Sequence, residues 1–216
     1  MDVFSNFTSN RIQFMQSTGV IILAAGISER MGSDKLCLKL PSGETFLSYL
    51  LSAYQRFGCT PCIVVVNQKT QPHALQIIKS GSVPATVVVN PNPEAGRFLS
   101  LQMGLQALKN PTGVFLQNID NPFVNEELLQ HLIANSNAGD FVVPVYGIKG
   151  GHPVLLNPKV VNSILLHPDP HTPLNGFLKN FQKAILSTSD RRILTNINTP
   201  DDYREYLAEQ QADSSL

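Results

Sequence analysis

GVIILAAGISERMGSDK, from Gly19 to Lys35, is an apolar run that passes straight into a glycine-bearing loop with two cations. Residues Gly19 to Ala25 are apolar at every position rather than every second one, and Val20, Ile21 and Ile22 are β-branched. A strand of that kind needs cover on both faces, as in a parallel sheet flanked by helices. Similar runs recur at Cys62 to Val66, Ala85 to Val89, Gly113 to Leu116 and Phe141 to Val145. Between them, Thr45 to Phe57, Pro72 to Lys79, Phe98 to Leu108 and Asn125 to Ala134 repeat apolar residues at three and four spacing, the period of an amphipathic helix. Alternating strands and helices predict an α/β fold, a three-layer α/β/α sandwich around a mostly parallel sheet. Ligands of such sheets sit beyond the carboxyl ends of the strands, so a site is expected just after Ala25, Val66, Val89 and Leu116.

The whole chain narrows the function classes. Its 216 residues, 43% hydrophobic, suffice for one sizeable core and are few for two, so residues 18–208 are expected to form a single domain. Residues 1–17 and 209–216 lack a period and read as a flexible extension and tail. Lys plus Arg equals Asp plus Glu at 16 each, which provides no field for nucleic acid or an anionic membrane. The longest apolar run is far below the roughly 20 residues of a membrane span, and no basic-then-apolar leader opens the chain. A soluble, cytoplasmic protein is expected. Cys59 and Cys62 make one Cys-x-x-Cys without a second pair, which cannot close a zinc site; they read as small residues at a strand start, with a redox pair as the alternative.

The loop from Gly26 to Lys35 has phosphate-binding chemistry. Gly26 and Gly32 permit backbone angles closed to other residues, so successive amides are free to point at one triphosphate, while Arg30 and Lys35 neutralise it. A Walker loop needs Lys directly after its second Gly, and here Ser33 and Asp34 intervene; the dinucleotide fingerprint needs Gly where Ser28 stands. Neither motif applies.

Leu23-Ala24-Ala25-Gly26, Ser28, Arg30-Met31-Gly32 and Lys35-Leu36 resemble the signature of the MobA-like nucleotidyltransferases, and within them the molybdenum cofactor cytidylyltransferase branch. The similarity continues through Asn90, Gly96, Ser100-Leu101, Gly104-Leu105, Asp120 with Pro122, Gly151-His152-Pro153-Val154 and Thr199-Pro200-Asp201-Asp202, and spans residues 19 to 207. It implies a Rossmann-like sheet of the nucleotide-diphospho-sugar transferase type, Mg²⁺ as cofactor, and transfer of a nucleoside monophosphate from an NTP to a phosphorylated pterin or sugar with release of pyrophosphate. CTP is favoured because Ala25 matches the branch's Leu-Ala-Ala-Gly, where guanylyltransferases generally carry a second Gly. A transient contact with a molybdoenzyme or its chaperone is also implied. On this resemblance Ala24, Ala25 and Gly26 approach base and ribose through backbone, Arg30 and Lys35 take the phosphates, Leu23 and Gly32 complete the nucleotide-binding loop, and Asn90 and Ser100 line the nucleotide pocket. Arg30, Lys35 and Asp120 are then the catalytic set.

Asp120 lies four residues past Leu116, at the sheet's carboxyl edge, and its carboxylate is a hard oxygen ligand suited to Mg²⁺; the bland alternative is a helix cap. Ser100 either caps the following helix or touches the nucleotide, and Arg97, which departs from the family pattern, reaches either substrate or solvent. His152, in Gly-His-Pro, is either a packed residue or an acceptor contact. Two segments differ from relatives. Asn196 and Asn198 stand where an Asp-x-Asp pair is usual, so two expected metal ligands have amide oxygens without charge. Residues His167 to Asn180 lack a Gly-Asp-x-Gly-Ala-Arg-like stretch; Lys179 there and Lys183 just beyond either serve an anionic acceptor or form a solvated helix face. The rival readings are a sugar- or alcohol-phosphate nucleotidyltransferase and a weakened nucleotide- or cofactor-binding protein.

Overall fold

The computed structural model describes residues 18–27, 30–109 and 111–213; the N-terminal extension and Ser28 of the signature lie outside them. Strands β1 (Thr18–Ala24), β2 (Cys62–Val66), β3 (Thr86–Val89), β4 (Gly113–Asn118), β5 (Phe141–Tyr146), β6 (Lys149–Gly150), β7 (Val154–Leu156) and β8 (Lys183–Ser187) form one sheet ordered β3-β2-β1-β4-β7-β5-β6, with β8 paired to β5. β1, β2, β3 and β4 pair in parallel, as does β8 with β5, whereas β7 runs antiparallel to both β4 and β5. The helices are α1 (Phe46–Arg56), α2 (Gln71–Ser80), α3 (Arg97–Gln106), α4 (Glu126–Ala134), α5 (Pro158–Leu165), α6 (Leu174–Leu178) and α7 (Pro200–Asp213).

Alternate residues of β1 feed two separate cores. Val20, Ile22 and Ala24 pack with α1 and α4 on one face; Ile21, Leu23 and Ala25 pack with Phe98, Leu101 and Leu105 of α3 and with Val160 and Ile164 of α5 on the other. All seven residues of β1 are buried, the double cover that its unbroken hydrophobicity predicts. The expected α1, α2, α3 and α4 are present within a few residues, and Thr45 and Asn125 cap α1 and α4 by accepting from Ser48 N (3.1 Å) and Leu128 N (2.8 Å).

Several differences bear on the site. β4 runs on to Asn118, so Asp120 stands two residues past the strand. α7 continues to Asp213, through residues 209–213 of the expected tail. Lys183 opens β8 and Lys179 is the C-cap of α6, so the two are not on one helix face. β6 and β7 are one return strand broken at Gly151, His152 and Pro153. A Cβ on Gly151 would lie 2.3 Å from the Ile193 carbonyl oxygen, so only glycine lets the chain pass there. Cys62 is buried beside Cys59, donating to its carbonyl (3.7 Å), and burial lifts the Cys62 thiol to about 12 and the Cys59 thiol higher, so both are inert packing residues.

Candidate active site

Three adjoining cavities run along the carboxyl edge of the sheet. The central one, about 270 Å³, is lined by Leu23 of β1 with Gly26 and Ile27 beyond it, Arg30 and Lys35 of the loop, Gly96, Arg97 and Ser100 at the start of α3, Asn118 at the end of β4 with Ile119 and Asp120 beyond it, and Asn198. It shares Ile27 and Pro93 with a cavity of about 460 Å³ bounded by Gly32, Asp34, Asn67, Thr70, Asn90 and Glu94. It shares Arg97 and Asn118 with a third, of about 560 Å³, beside β7. The segments after Ala25, Val66, Val89 and Leu116 thus meet as the sheet's connectivity requires.

Lys35 is the hub of the central cavity. Its Nζ donates to Asn198 Oδ1 at 2.7 Å and stands 3.6 Å from Asp120 Oδ2. Burial draws its ammonium below the usual lysine range, and the Asp120 charge opposes that shift. Asp120 Oδ1 is buried with no hydrogen-bond partner. A buried carboxylate oxygen without a donor is costly unless something positive meets it, so this atom points to a missing cation or proton donor. Among the described residues no cluster of three or more His, Cys, Asp or Glu exists. The donor set is therefore one carboxylate and the Asn198 amide oxygen, which suits Mg²⁺, an ion that commonly keeps several waters and takes substrate phosphate oxygens besides one or two protein ligands. The residues fit such an ion.

The C-terminal segment reaches the site through a buried amide network that no local sequence pattern announces. Tyr54 of α1 donates to Gln117 Oε1 (2.9 Å), and Gln117 Nε2 donates to the Asn121 carbonyl. Asn121, wholly buried, points its Nδ2 at the carbonyls of Arg192 (3.1 Å), Ile193 (3.0 Å) and Thr195 (2.6 Å). Ile197 N then donates to the Asp120 carbonyl at 2.8 Å, which sets Asn198 opposite Lys35. Thr199 and Asp202 close the next turn reciprocally: Asp202 N donates to Thr199 Oγ1 (3.2 Å), and Asp202 Oδ2 accepts from Thr199 N (2.9 Å) and Asn198 N (2.8 Å). The Thr-Pro-Asp-Asp motif is thus a helix start that holds Asn198.

Other expected residues fall differently. Asn196 is exposed, donates to the Leu194 carbonyl (3.0 Å) and lines a separate surface hollow, so it is not gathered with Asp120; the short turn from Asn196 to Asn198 brings only Asn198 inward. Ala24 and Ala25 are buried in the two cores and line neither nucleotide-side cavity, and the Ala25 carbonyl accepts from Asn67 Nδ2 (3.0 Å). Gly26 lines the cavity without a positive φ, whereas Gly32 (φ 67°) and Gly96 (φ 94°) use the conformational freedom of glycine. Gly96 is the N-cap of α3, which leaves Ser100 one turn inside the helix, lining the cavity and accepting from Asn90 Nδ2 at 2.9 Å. Asn90 also holds Asn92 N (2.8 Å), so it shapes the loop between the cavities.

His152 lines the third cavity. Its Nε2 lies 2.8 Å from Asn118 Nδ2, and burial holds the imidazole below the usual histidine range, neutral at neutral pH. With Asn118 donating to Nε2, the ring proton belongs on Nδ1, which is buried without a hydrogen-bond partner. Arg97 and Asn118, which border two cavities, are the residues whose importance the sequence left open or missed. The polar pair Gln117-Asn118 at the end of an apolar strand was the signal.

A phosphate-type loop, a half-buried carboxylate and an ammonium at the carboxyl edge of a parallel sheet define a nucleotidyltransferase. The chain belongs to the MobA-like NTP transferase family, whose domain model matches residues 20–184. It is 23% identical over 189 residues to the molybdenum cofactor cytidylyltransferase of Escherichia coli, covering 88% of this chain and 95% of that protein. It is 27% identical to a probable molybdenum cofactor guanylyltransferase of Rhodopirellula baltica, over 84% of this chain and 88% of that one. Among solved structures it is similar to Rv0371c of Mycobacterium tuberculosis, at 25% identity and TM-score 0.72 over 88% of this chain and 97% of that one. A manganese complex of that protein superposes at TM-score 0.70 and 21% identity, covering 89% and 98%. The sheet is of the nucleotide-diphospho-sugar transferase type, and no helix among the described residues is long and apolar enough to cross a membrane.

Proposed function

We propose that this enzyme transfers CMP from CTP to a phosphorylated acceptor of the molybdopterin type, with Mg²⁺, and releases pyrophosphate. The carrying observation is the partnerless Asp120 Oδ1 beside Lys35 and Asn198 in the central of the three cavities. Base and ribose would occupy the cavity of Asn67, Thr70 and Asn90, the triphosphate the central one, and the acceptor the one beside His152. Asp120 and Asn198 would hold the metal ion, which when bound neutralises triphosphate charge.

An acceptor phosphate oxygen attacks the α-phosphorus, forming one P–O bond as the bond to the β-phosphate oxygen breaks, and pyrophosphate leaves. The acceptor phosphate is already ionised at neutral pH, so no general base is needed. That fits a site whose one histidine is neutral and hydrogen-bonded to Asn118. Lys35, freed from Asn198, and Arg30 stabilise the charge that moves onto pyrophosphate. Catalysis is then positioning and charge neutralisation. CTP is preferred over GTP on the match of Leu23-Ala24-Ala25-Gly26 to the cytidylyltransferase motif, not on a contact of Ala25, and on the E. coli relative's activity.

The test is pyrophosphate release with Mg²⁺ or Mn²⁺ and each of CTP, GTP, ATP and UTP, against molybdopterin-type cofactor and a sugar-phosphate panel. Release with CTP and the pterin bears the reading out; release with GTP moves the chain to the guanylyltransferases, and a sugar phosphate moves it to the rival acceptor class. Nucleotide binding without release under any acceptor refutes transfer.

A further inference from the structure

We propose that the cavity beside β7 takes an acceptor bearing two separate anionic groups on a flat apolar body, the reacting phosphate at Arg97 and a second anion at Lys179 and Lys183. The inference rests on the transfer reaction proposed above. Three cations line this cavity and no carboxylate does, although Lys plus Arg and Asp plus Glu balance over the whole chain. None of the three has a carboxylate partner among the described residues, whereas Lys159, Arg191 and Arg192 each have one.

The cations are divided in space. Arg97 opens α3 and lines both the central cavity and this one, so it stands between the spaces the reaction assigns to triphosphate and acceptor; its planar fork matches phosphate oxygens. Lys179 and Lys183 line only the outer cavity. They come from the C-cap of α6 and the first residue of β8, and the connecting turn carries both to one rim. Lys183 Nζ lies 3.9 Å from where a Cβ of Gly150 would stand, so it reaches over the sheet toward β6 above a position without a side chain. Apart from Asn118, His152 and Asn175 the rest of the lining is apolar, with Phe141, Val143 and Phe181. An apolar floor with cations at either end selects a body with a face to bury and charges to place at both ends.

Phenyl phosphate and 4-carboxyphenyl phosphate, which differ by one distal anion, test this by calorimetric titration of the full chain. The wild type should bind the carboxylated ester roughly tenfold more tightly, the gain expected from two charge-assisted contacts at a partly exposed rim. In Lys179→Gln/Lys183→Gln the advantage should vanish while affinities for phenyl phosphate and CTP stay as they were. In Arg97→Gln both esters should weaken together. Equal affinity of the wild type for the two esters, an advantage that survives in the double variant, or binding of neither ester overturns the proposal. Pyrophosphate release is followed in parallel. Its absence with the binding pattern intact sinks the transfer reaction alone; its presence with no distal-anion effect sinks the two-anion cavity alone.

Discussion

Asn121→Ala removes the amide that ties residues 192–195 to the end of β4. Three carbonyls accept from Asn121 Nδ2, but they do not lose equally. Ile193 O still accepts from His152 N (3.2 Å), and Arg192 O from Thr195 N (3.1 Å), so each loses only a shared bond. Thr195 O, held at 2.6 Å, has no other donor among the described residues and is left bare. One stranded acceptor costs about 1–3 kcal/mol and two weakened bonds add about 1 kcal/mol together. Loss of the partnerless Asn121 Oδ1 returns part of this, so about 2–3 kcal/mol should be lost overall. In urea that is a midpoint lowered by about 1 M at a slope of about 2–3 kcal/mol/M. Because Ile197 N and Asn198 follow directly, affinity for CTP should fall as well. A midpoint within about 0.2 M of wild type, with unchanged affinity, would refute the view that Asn121 fastens the C-terminal segment to the site.

Four further outcomes are expected. Asp120→Asn should lower turnover at least about 100-fold, as loss of a metal's charged ligand does, while circular dichroism shows the protein folded; unchanged turnover removes Asp120 from the mechanism. Gly151→Ala should destabilise by about 3 kcal/mol in thermal unfolding, because its Cβ meets the Ile193 backbone; wild-type stability would show that the close approach relaxes freely. The Arg192 guanidinium, bonded to Asp190 at 2.8 and 2.9 Å, holds that carboxyl below the usual range. Its stabilisation is therefore present above the ordinary carboxylate pKa of about 4 and is lost as pH falls from there through the depressed value, so Asp190→Asn should flatten the acid side of the stability profile, and an unaltered profile would deny the pair any role. A thiol reagent at pH 8 should modify Cys37, which is half-buried, well before Cys59 and Cys62, and early reaction of either of the latter would contradict their burial.

The sequence alone determined the two-faced strands, the alternation with helices and the loop that ends at Lys35, because these rest on local periodicity and on residue types whose chemistry does not depend on distant partners. Gly19 to Ala25 needed nothing but its own hydrophobicity to declare a strand buried on both faces. Asp120 was legible as a carboxylate at the strand edge. The edge strand β8, the reversal of β7 and the inward turn of Asn198 but not Asn196 were not legible, since each is set by long-range pairing. Tyr54, Gln117 and Asn121 are ordinary polar residues in sequence, and become a network only when α1 lies over β4 and the C-terminal segment folds back. Arg97, Lys179 and Lys183 are far apart or at misleading spacing along the chain; only the packing of α3, α6 and β8 around one cavity brings these three surface cations to its two ends.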